Sequence, residues 1–454
     1  MSQPSTAFSE LEGASRTRRA LPPVRWVIAV LLMLASVMNY VDRQALSILA
    51  STIQQDLGID DAGYTMVVQA FLLCYAVMYL FSGRIVDRIG TRLAETAFIT
   101  WWSVANMFTA LATGVFSLAL FRSLLGIAEP GNYTASAKAV SEWFPAREKG
   151  IAVGMYSMGG TIGAAVAAPL VAFLALHFGW RSAFVFTGVL GLVLAAVWYV
   201  VYRGPAEHRL LGDAERRLLE SEGLLRTTVS AQAGAVSRAP SGTNQPNSPL
   251  AWRDLLALRP MWLVLLARML TDPLWYFYLF WLPKYLQDER GFSLADLGKT
   301  VWIVFLAADL GCILGGWLSG HLIRRGVDPV QARLRVMAGS AVVLAASFTL
   351  PATAGAAVPL AMASLFTCAH MAWMTNSTTL PMDIFPVRAI GSVQGAIGAG
   401  SSFGGFASTA VVGFLVTHYG YAPVFRLMSV LHPVAWAALA MLLPRAVRDF
   451  RRAV

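Results

Sequence analysis

The chain has 454 residues, 57% of them hydrophobic and only 13% charged, with 38 Gly, 14 Trp and 24 Phe. This balance excludes an ordinary soluble domain and points to a membrane protein. The formal net charge of +10 does not mark a nucleic-acid surface, because the basic residues gather on one side of the predicted membrane spans.

In chain order, apolar stretches of roughly 20 residues recur, the length a helix needs to cross a ~30 Å hydrocarbon core. Six centre on 26–40, 66–81, 97–112, 115–131, 151–176 and 183–201. Six more centre on 261–282, 300–318, 336–350, 359–376, 393–416 and 425–443. They predict an all-α polytopic membrane protein with twelve transmembrane helices in two pseudo-symmetric six-helix bundles. The expected organisation is a tail over 1–24, a first bundle over 25–203, a linker over 204–259, a second bundle over 260–444 and a tail over 445–454. The linker includes "SAQAGAVSRAPSGTNQPNSP", a composition that reads as mobile. With the tails and linker placed in the cytoplasm, most of the 35 Lys and Arg lie inside, which satisfies the positive-inside rule. The basic-then-apolar opening resembles a secretory signal, yet its apolar run is long and lacks a small-residue cleavage site, so it reads as a retained first helix. Cys74, Cys312 and Cys368 all fall within predicted spans, which indicates neither a disulfide framework nor a metal site.

The chain also contains an internal duplication. "FPAREKGIAVG", Phe144 to Gly154, aligns with "FPVRAIGSVQG", Phe385 to Gly395, and the same offset superposes "HFGWRSAF" on "HYGYAPVF". Two halves of like topology imply an axis along the membrane normal, a site at their interface near the midplane, and alternating access as the mode of action. The competing reading is a larger bundle without transport, such as a channel or membrane enzyme.

Between the second and third spans lies "GRIVDRIGTR", which supplies Gly83, Asp87, Arg88, Gly90 and Arg92. This spacing resembles the loop signature of the major facilitator superfamily. Its glycines allow a tight turn and close helix approach, and Asp87 can accept from a helix amino terminus or pair with an arginine, latching one state. The matching "GHLIRRGVD" of the second half has Arg324 where the acid would stand, so a second latch reads as degenerate.

A charge at mid-bilayer costs at least about 2.5–3.5 kcal/mol on insertion scales, so each needs a partner, a wet cavity or a task. The first span carries Asp42 and Arg43, the fourth Arg122 and Glu129, and the seventh Arg268 and Asp272, the last two spaced to pair with each other. Arg122 and Glu129, seven apart, share a helix face; so do Tyr40 and Arg43, whereas Asp42 points about 100° away, toward the fourth-span charges. Together they are expected to line one cavity in which arginine fixes an anion and a carboxyl carries a proton. Two structural salt bridges are the alternative. Asp309 is expected to find a hydroxyl or backbone partner, Lys138 to snorkel or pair with Glu142, and His370 falls opposite Glu129 in the repeat.

"NYVDRQALS", "RSLLGIAEPGNY", "SEWFPAREKGIAVG" and "HFGWRSAFVFTGVLG" resemble the anion:cation symporter family over nearly the whole transmembrane chain. "DPLWYFYLFWLPKYLQDERGFSLADLG" is most similar to its bacterial hexuronate branch. The resemblance implies proton handling by Asp42 and Glu129, and substrate binding by Tyr40, Arg43, Tyr75, Arg122, Trp373, Asn376 and Ser401, with Ser402 a weaker candidate. It implies a bacterial inner-membrane importer of a sugar-acid carboxylate, galacturonate or glucuronate, with no cofactor or metal and the proton as coupling ion. The expected partners are the organic anion, protons and the lipid bilayer, and the expected state is a monomer. The sequence departs from the pattern on the fifth span, where Gly159 and Gly160, with Ser157 and Thr161 nearby, replace an amide. An aldonate or aromatic acid is the alternative cargo. A membrane enzyme is disfavoured by the absence of HExxH, GxSxG, P-loop or clustered-His patterns, a non-transporting sensor by the presence of both acids, and multidrug efflux by the paired arginines.

Overall fold

The computed structural model describes residues 23–225, 252–292, 294–353, 355 and 357–453, and every regular element among them is helical. The tail residues 1–22 and the linker residues 226–251 lie outside the described residues. The first half contains α1 (Val24–Ile48), α2 (Ala50–Leu57), α3 (Asp61–Ile89), α4 (Thr91–Thr109), α5 (Val115–Ala128), α6 (Pro130–Trp143), α7 (Ala146–Phe178) and α8 (Trp180–Val201). After α9 (Asp213–Ser221) and α10 (Trp252–Leu256) come α11 (Arg259–Thr271), α12 (Pro273–Phe280), α13 (Leu282–Arg290), α14 (Leu294–Arg324), α15 (Pro329–Ala345), α16 (Ala357–Ile384), α17 (Ile390–Tyr419) and α18 (Ala422–Ala453).

Among the described residues, eight helices are long and apolar enough to cross a membrane. The remaining crossings are α4, α17, the α5–α6 pair and the α11–α13 series. The last two are interrupted for a local reason. Pro130 and Pro273 open α6 and α12 at N1, where a missing N–H is tolerated but cannot continue the ladder of the preceding helix. Each proline follows an acid, Glu129 or Asp272, and so sets that carboxyl at a break inside the bundle.

The duplication is visible in the packing. In the first half α1 packs on α7, α3 on α5 and α4 on α8; in the second, α11 packs on α17, α14 on α16 and α15 on α18. Between the halves, α7 meets α14 and α3 meets α17. Lipid tails are as apolar as the side chains, so helices associate through close van der Waals approach, and the aligned glycines provide it. A Cβ on Gly150 would lie 2.8 Å from Gly316 Cα, on Gly154 2.6 Å from Cys312 O, and on Gly395 2.7 Å from Tyr79 O. The aligned histidines behave alike too: Nδ1 of His177 bonds Phe173 O at 2.8 Å, and Nδ1 of His418 bonds Phe414 O at 2.9 Å.

On the face that carries the start of α1, Asp87 joins the halves. Its Oδ1 accepts from Gly391 N at 3.1 Å and from Lys138 Nζ at 3.0 Å, and its Oδ2 accepts from Ser392 N at 2.6 Å and Ser392 Oγ at 2.7 Å. A buried carboxylate therefore caps the amino terminus of α17, where exposed N–H groups and the helix dipole favour negative charge. Gly83 packs on Gly391, Gly90 turns the chain at φ 83°, Arg92 lies 4.0 Å over the Tyr199 ring, and Arg88 is exposed. Lys138 thus pairs with Asp87 and not with Glu142, which instead accepts from Thr91 and Tyr202. The second half does not need an acid at Arg324. Arg333 donates to Ala146 O at 2.6 Å and pairs at 3.0 Å with Asp383, which also holds Lys149 at 3.4 Å. Removing one member of a buried ion pair leaves an uncompensated charge, at a cost of about 3–5 kcal/mol. Asp87→Asn is therefore expected to lower the melting temperature of the detergent-purified protein by several degrees, and an unchanged melting curve would show that the junction adds nothing.

The linker begins as a docked element. Glu215 of α9 accepts from Val24 N at 2.8 Å and Arg25 N at 3.1 Å, and Arg25 bridges it to Glu148. Leu219 is wholly buried. α9 thus satisfies the first N–H groups of α1.

Candidate functional site

The intramembrane charges of the first half converge where α1 faces the α5–α6 break. Glu129 is fully buried, while the Arg43 side chain keeps 26% exposure. Arg43 Nη2 and Nε donate to Glu129 Oε2 at 2.5 and 3.0 Å. The guanidinium also lies 5.1 Å from the Tyr40 ring, 5.5 Å from Phe71 and 4.7 Å from Tyr75. Aromatic faces attract a cation and limit its hydration. Arg122 lies deeper, 5.2 Å from the same Phe71 ring. It donates to the main-chain oxygens of Asp42 and Arg43 at 3.3 and 3.4 Å, and its Nε has no protein partner. Both guanidiniums thus lie within 5.5 Å of one ring.

The Asp42 carboxyl hydrogen-bonds to neither fourth-span charge, although Glu129 and Arg122 both lie within its electrostatic range. Its Oδ1 accepts from Asn106 Nδ2 at 2.8 Å, and Asn106 also donates to Thr187 Oγ1 at 2.8 Å. The carboxyl is fully buried against α4 and α8 with Oδ2 unpaired. Of the four charged groups expected to line one cavity, only Arg43 keeps appreciable exposure.

The second half offers a matching clamp. Arg268 Nε meets both Asp272 oxygens at 3.0 and 3.1 Å, and Nη1 donates to Thr378 Oγ1 at 2.7 Å. Ser401 Oγ donates to Asp272 Oδ2. The walls face each other: Tyr276 of α12 lies within electrostatic range of Tyr40, Tyr75 and Arg43, and Arg268 within range of Tyr79 and Tyr156.

The family model described as Major Facilitator Superfamily matches residues 32–409. The chain belongs to this superfamily. It is 29% identical over 418 residues to a hexuronate transporter of Escherichia coli strain K12, covering 91% of this chain and 92% of that one. It is 34% identical over 295 residues to a galacturonate transporter of Dickeya chrysanthemi, covering 65% of this chain and 81% of that one. Its fold is similar to that of a proton:xylose symporter bound to 6-bromo-6-deoxy-D-glucose, with TM-score 0.67, 15% identity, and coverage of 92% and 96%.

Several positions in this major facilitator transporter differ from the sequence expectation. Trp373 is fully buried and donates to Thr271 Oγ1 at 3.1 Å, and Asn376 donates to Gly315 O and Ala372 O at 3.0 and 2.8 Å. Both are buried and bonded within the second half. Ser402 bonds Gly398 O of its own helix at 2.9 Å, which leaves Ser401 as the inward hydroxyl. His370 is not alone: its Nδ1 lies 3.1 Å from His432 Nε2 in a buried pair. Tyr79, Tyr133, Tyr276 and Thr378, all half-buried, were missed. The spacing of four between Tyr75 and Tyr79, and between Asp272 and Tyr276, was the available signal.

Proposed function

We propose that this transporter imports a sugar-acid carboxylate, a hexuronate such as galacturonate or glucuronate, together with protons by alternating access. The reading places it in a bacterial inner membrane with both termini cytoplasmic. The observation that carries it is the Arg43–Glu129 pair, a partly exposed guanidinium held by a wholly enclosed carboxylate. While Glu129 is ionised, Arg43 is spent on an internal partner. A proton on Glu129 cancels that attraction and frees the planar fork, which matches a carboxylate in a bidentate fashion. Glu129 is then the coupling group, and Asp42, with its unpaired oxygen, is a second protonatable site. Tyr40, Tyr75 and Tyr276 offer rings and hydroxyls to the sugar, whose apolar face stacks and whose hydroxyls need donors and acceptors. The relatives named above as hexuronate and galacturonate transporters support the substrate class. Release on the other side requires the Asp87 and Asp383 junctions to part as one half rocks against the other.

The test is uptake of labelled galacturonate, glucuronate, galactonate and an aromatic acid into proteoliposomes under an inward proton gradient. Accumulation of the hexuronates, collapsed by a protonophore, is the expected result. Uptake of the aromatic acid alone would replace the substrate, and uptake of no carboxylate would sink the proposal.

A further inference from the structure

Asp309 occupies the midpoint of α14 (Leu294–Arg324), hence mid-membrane, and is half-buried. Its Oδ1 accepts from the hydroxyl of Thr161, which belongs to α7 of the opposite half. The residue before Thr161 is Gly160, where a Cβ would come within 2.9 Å of the Tyr40 ring. Adjacent residues of α7, about 100° apart around the helix, therefore contact Asp309 and the Tyr40 ring.

The other cavity-side charges are matched. Arg43 has Glu129, and Arg268 has Asp272. Among the described residues Asp309 forms no ion pair. Glu95 also lacks a cation, but it is wholly enclosed. An unmatched carboxylate at a substrate cavity has two chemical consequences. It accepts hydroxyl donors, and it repels a second anion, more strongly in a half-dry site than in water.

We propose that Asp309 determines specificity: with Thr161 it receives a hydroxyl of the sugar acid and rejects a ligand bearing a second carboxylate, so that monocarboxylates are carried and aldarates refused. This rests on the sugar-acid reading above. Rejection by a like charge is a device of specificity separate from attraction to the preferred ligand.

The experiment is competition against labelled galacturonate in proteoliposomes by unlabelled galacturonate and by galactarate, the six-carbon diacid, in wild type, Asp309→Asn and Thr161→Val. Wild type is expected to be inhibited weakly by galactarate. In Asp309→Asn the half-inhibitory concentration of galactarate relative to galacturonate is expected to fall by about 10- to 100-fold, the scale of one removed charge at short range. Thr161→Val should leave this ratio high, in galactarate's disfavour, while weakening galacturonate itself. If Asp309→Asn does not transport, the same ratio is read from thermal stabilisation of the purified variant by the two compounds. A contact that only holds the halves together would change rates for both ligands and leave the ratio fixed, which would overturn the inference. So would equal inhibition of wild type by both ligands. Failure of wild type to take up or bind either compound would overturn the sugar-acid reading and this inference with it, whereas galacturonate uptake with an unchanged ratio in Asp309→Asn would overturn the inference alone.

Discussion

Glu129→Gln is expected to abolish gradient-driven accumulation while leaving exchange of labelled for unlabelled substrate within a few-fold of wild type. The amide keeps the size and one acceptor oxygen that Arg43 contacts at 2.5 Å and 3.0 Å, but it cannot take up a proton. Arg43 is then permanently released. Substrate binds and both halves can rock, yet no proton is exchanged at Glu129, the coupling group, so the gradient does no work on the substrate. The measurement is the steady-state concentration ratio across proteoliposomes, expected to fall to the equilibrium value, with counterflow as the control. Undiminished accumulation would assign Glu129 to structure alone.

Arg43→Ala is expected to lower uptake by about 100-fold or more, since losing one partner of a buried charge pair costs about 2–5 kcal/mol. Two effects combine. The substrate loses its fork, and Glu129, fully enclosed, loses its counter-charge. The double variant Arg43→Ala with Glu129→Gln separates them: thermal stability is expected to recover because no lone charge remains, whereas uptake stays lost. Arg43→Lys keeps a charge without the planar fork and is expected to retain stability with uptake reduced by roughly tenfold or more. Recovery of transport in the double variant would show that Arg43 contributes only by neutralising Glu129.

The repeat was legible in the sequence because it rests on glycines held at a fixed spacing within each segment. Gly150 and Gly154 let α7 touch α14, and Gly395 lets α17 touch α3, so their spacing is written directly into each segment. The identities of Asp42, Arg43, Arg122 and Glu129 were legible for a similar reason: a charge in an apolar run is conspicuous. Their partners were not. Asp87 offered two plausible roles, and the structure assigns it to the amino terminus of α17 and to Lys138. Asp383 and Arg333 were overlooked because each sits near a span end, where a charge needs no explanation until its partner is known.

The sequence by itself determined the twelve apolar spans, the duplicated halves and the supply of acids and arginines on the first and fourth spans, since hydrophobic length and helical period are properties of single segments. Only the tertiary structure decided that Arg43 takes Glu129, that Asp42 turns to Asn106, that Trp373 and Asn376 bond within their own half, and that Asp309 reaches Thr161 of the other half. The physical reason is rotational. A step of about 100° per residue places a side chain around its own helix, but the angle at which that helix presents itself to its neighbours is set by close packing summed over the whole bundle.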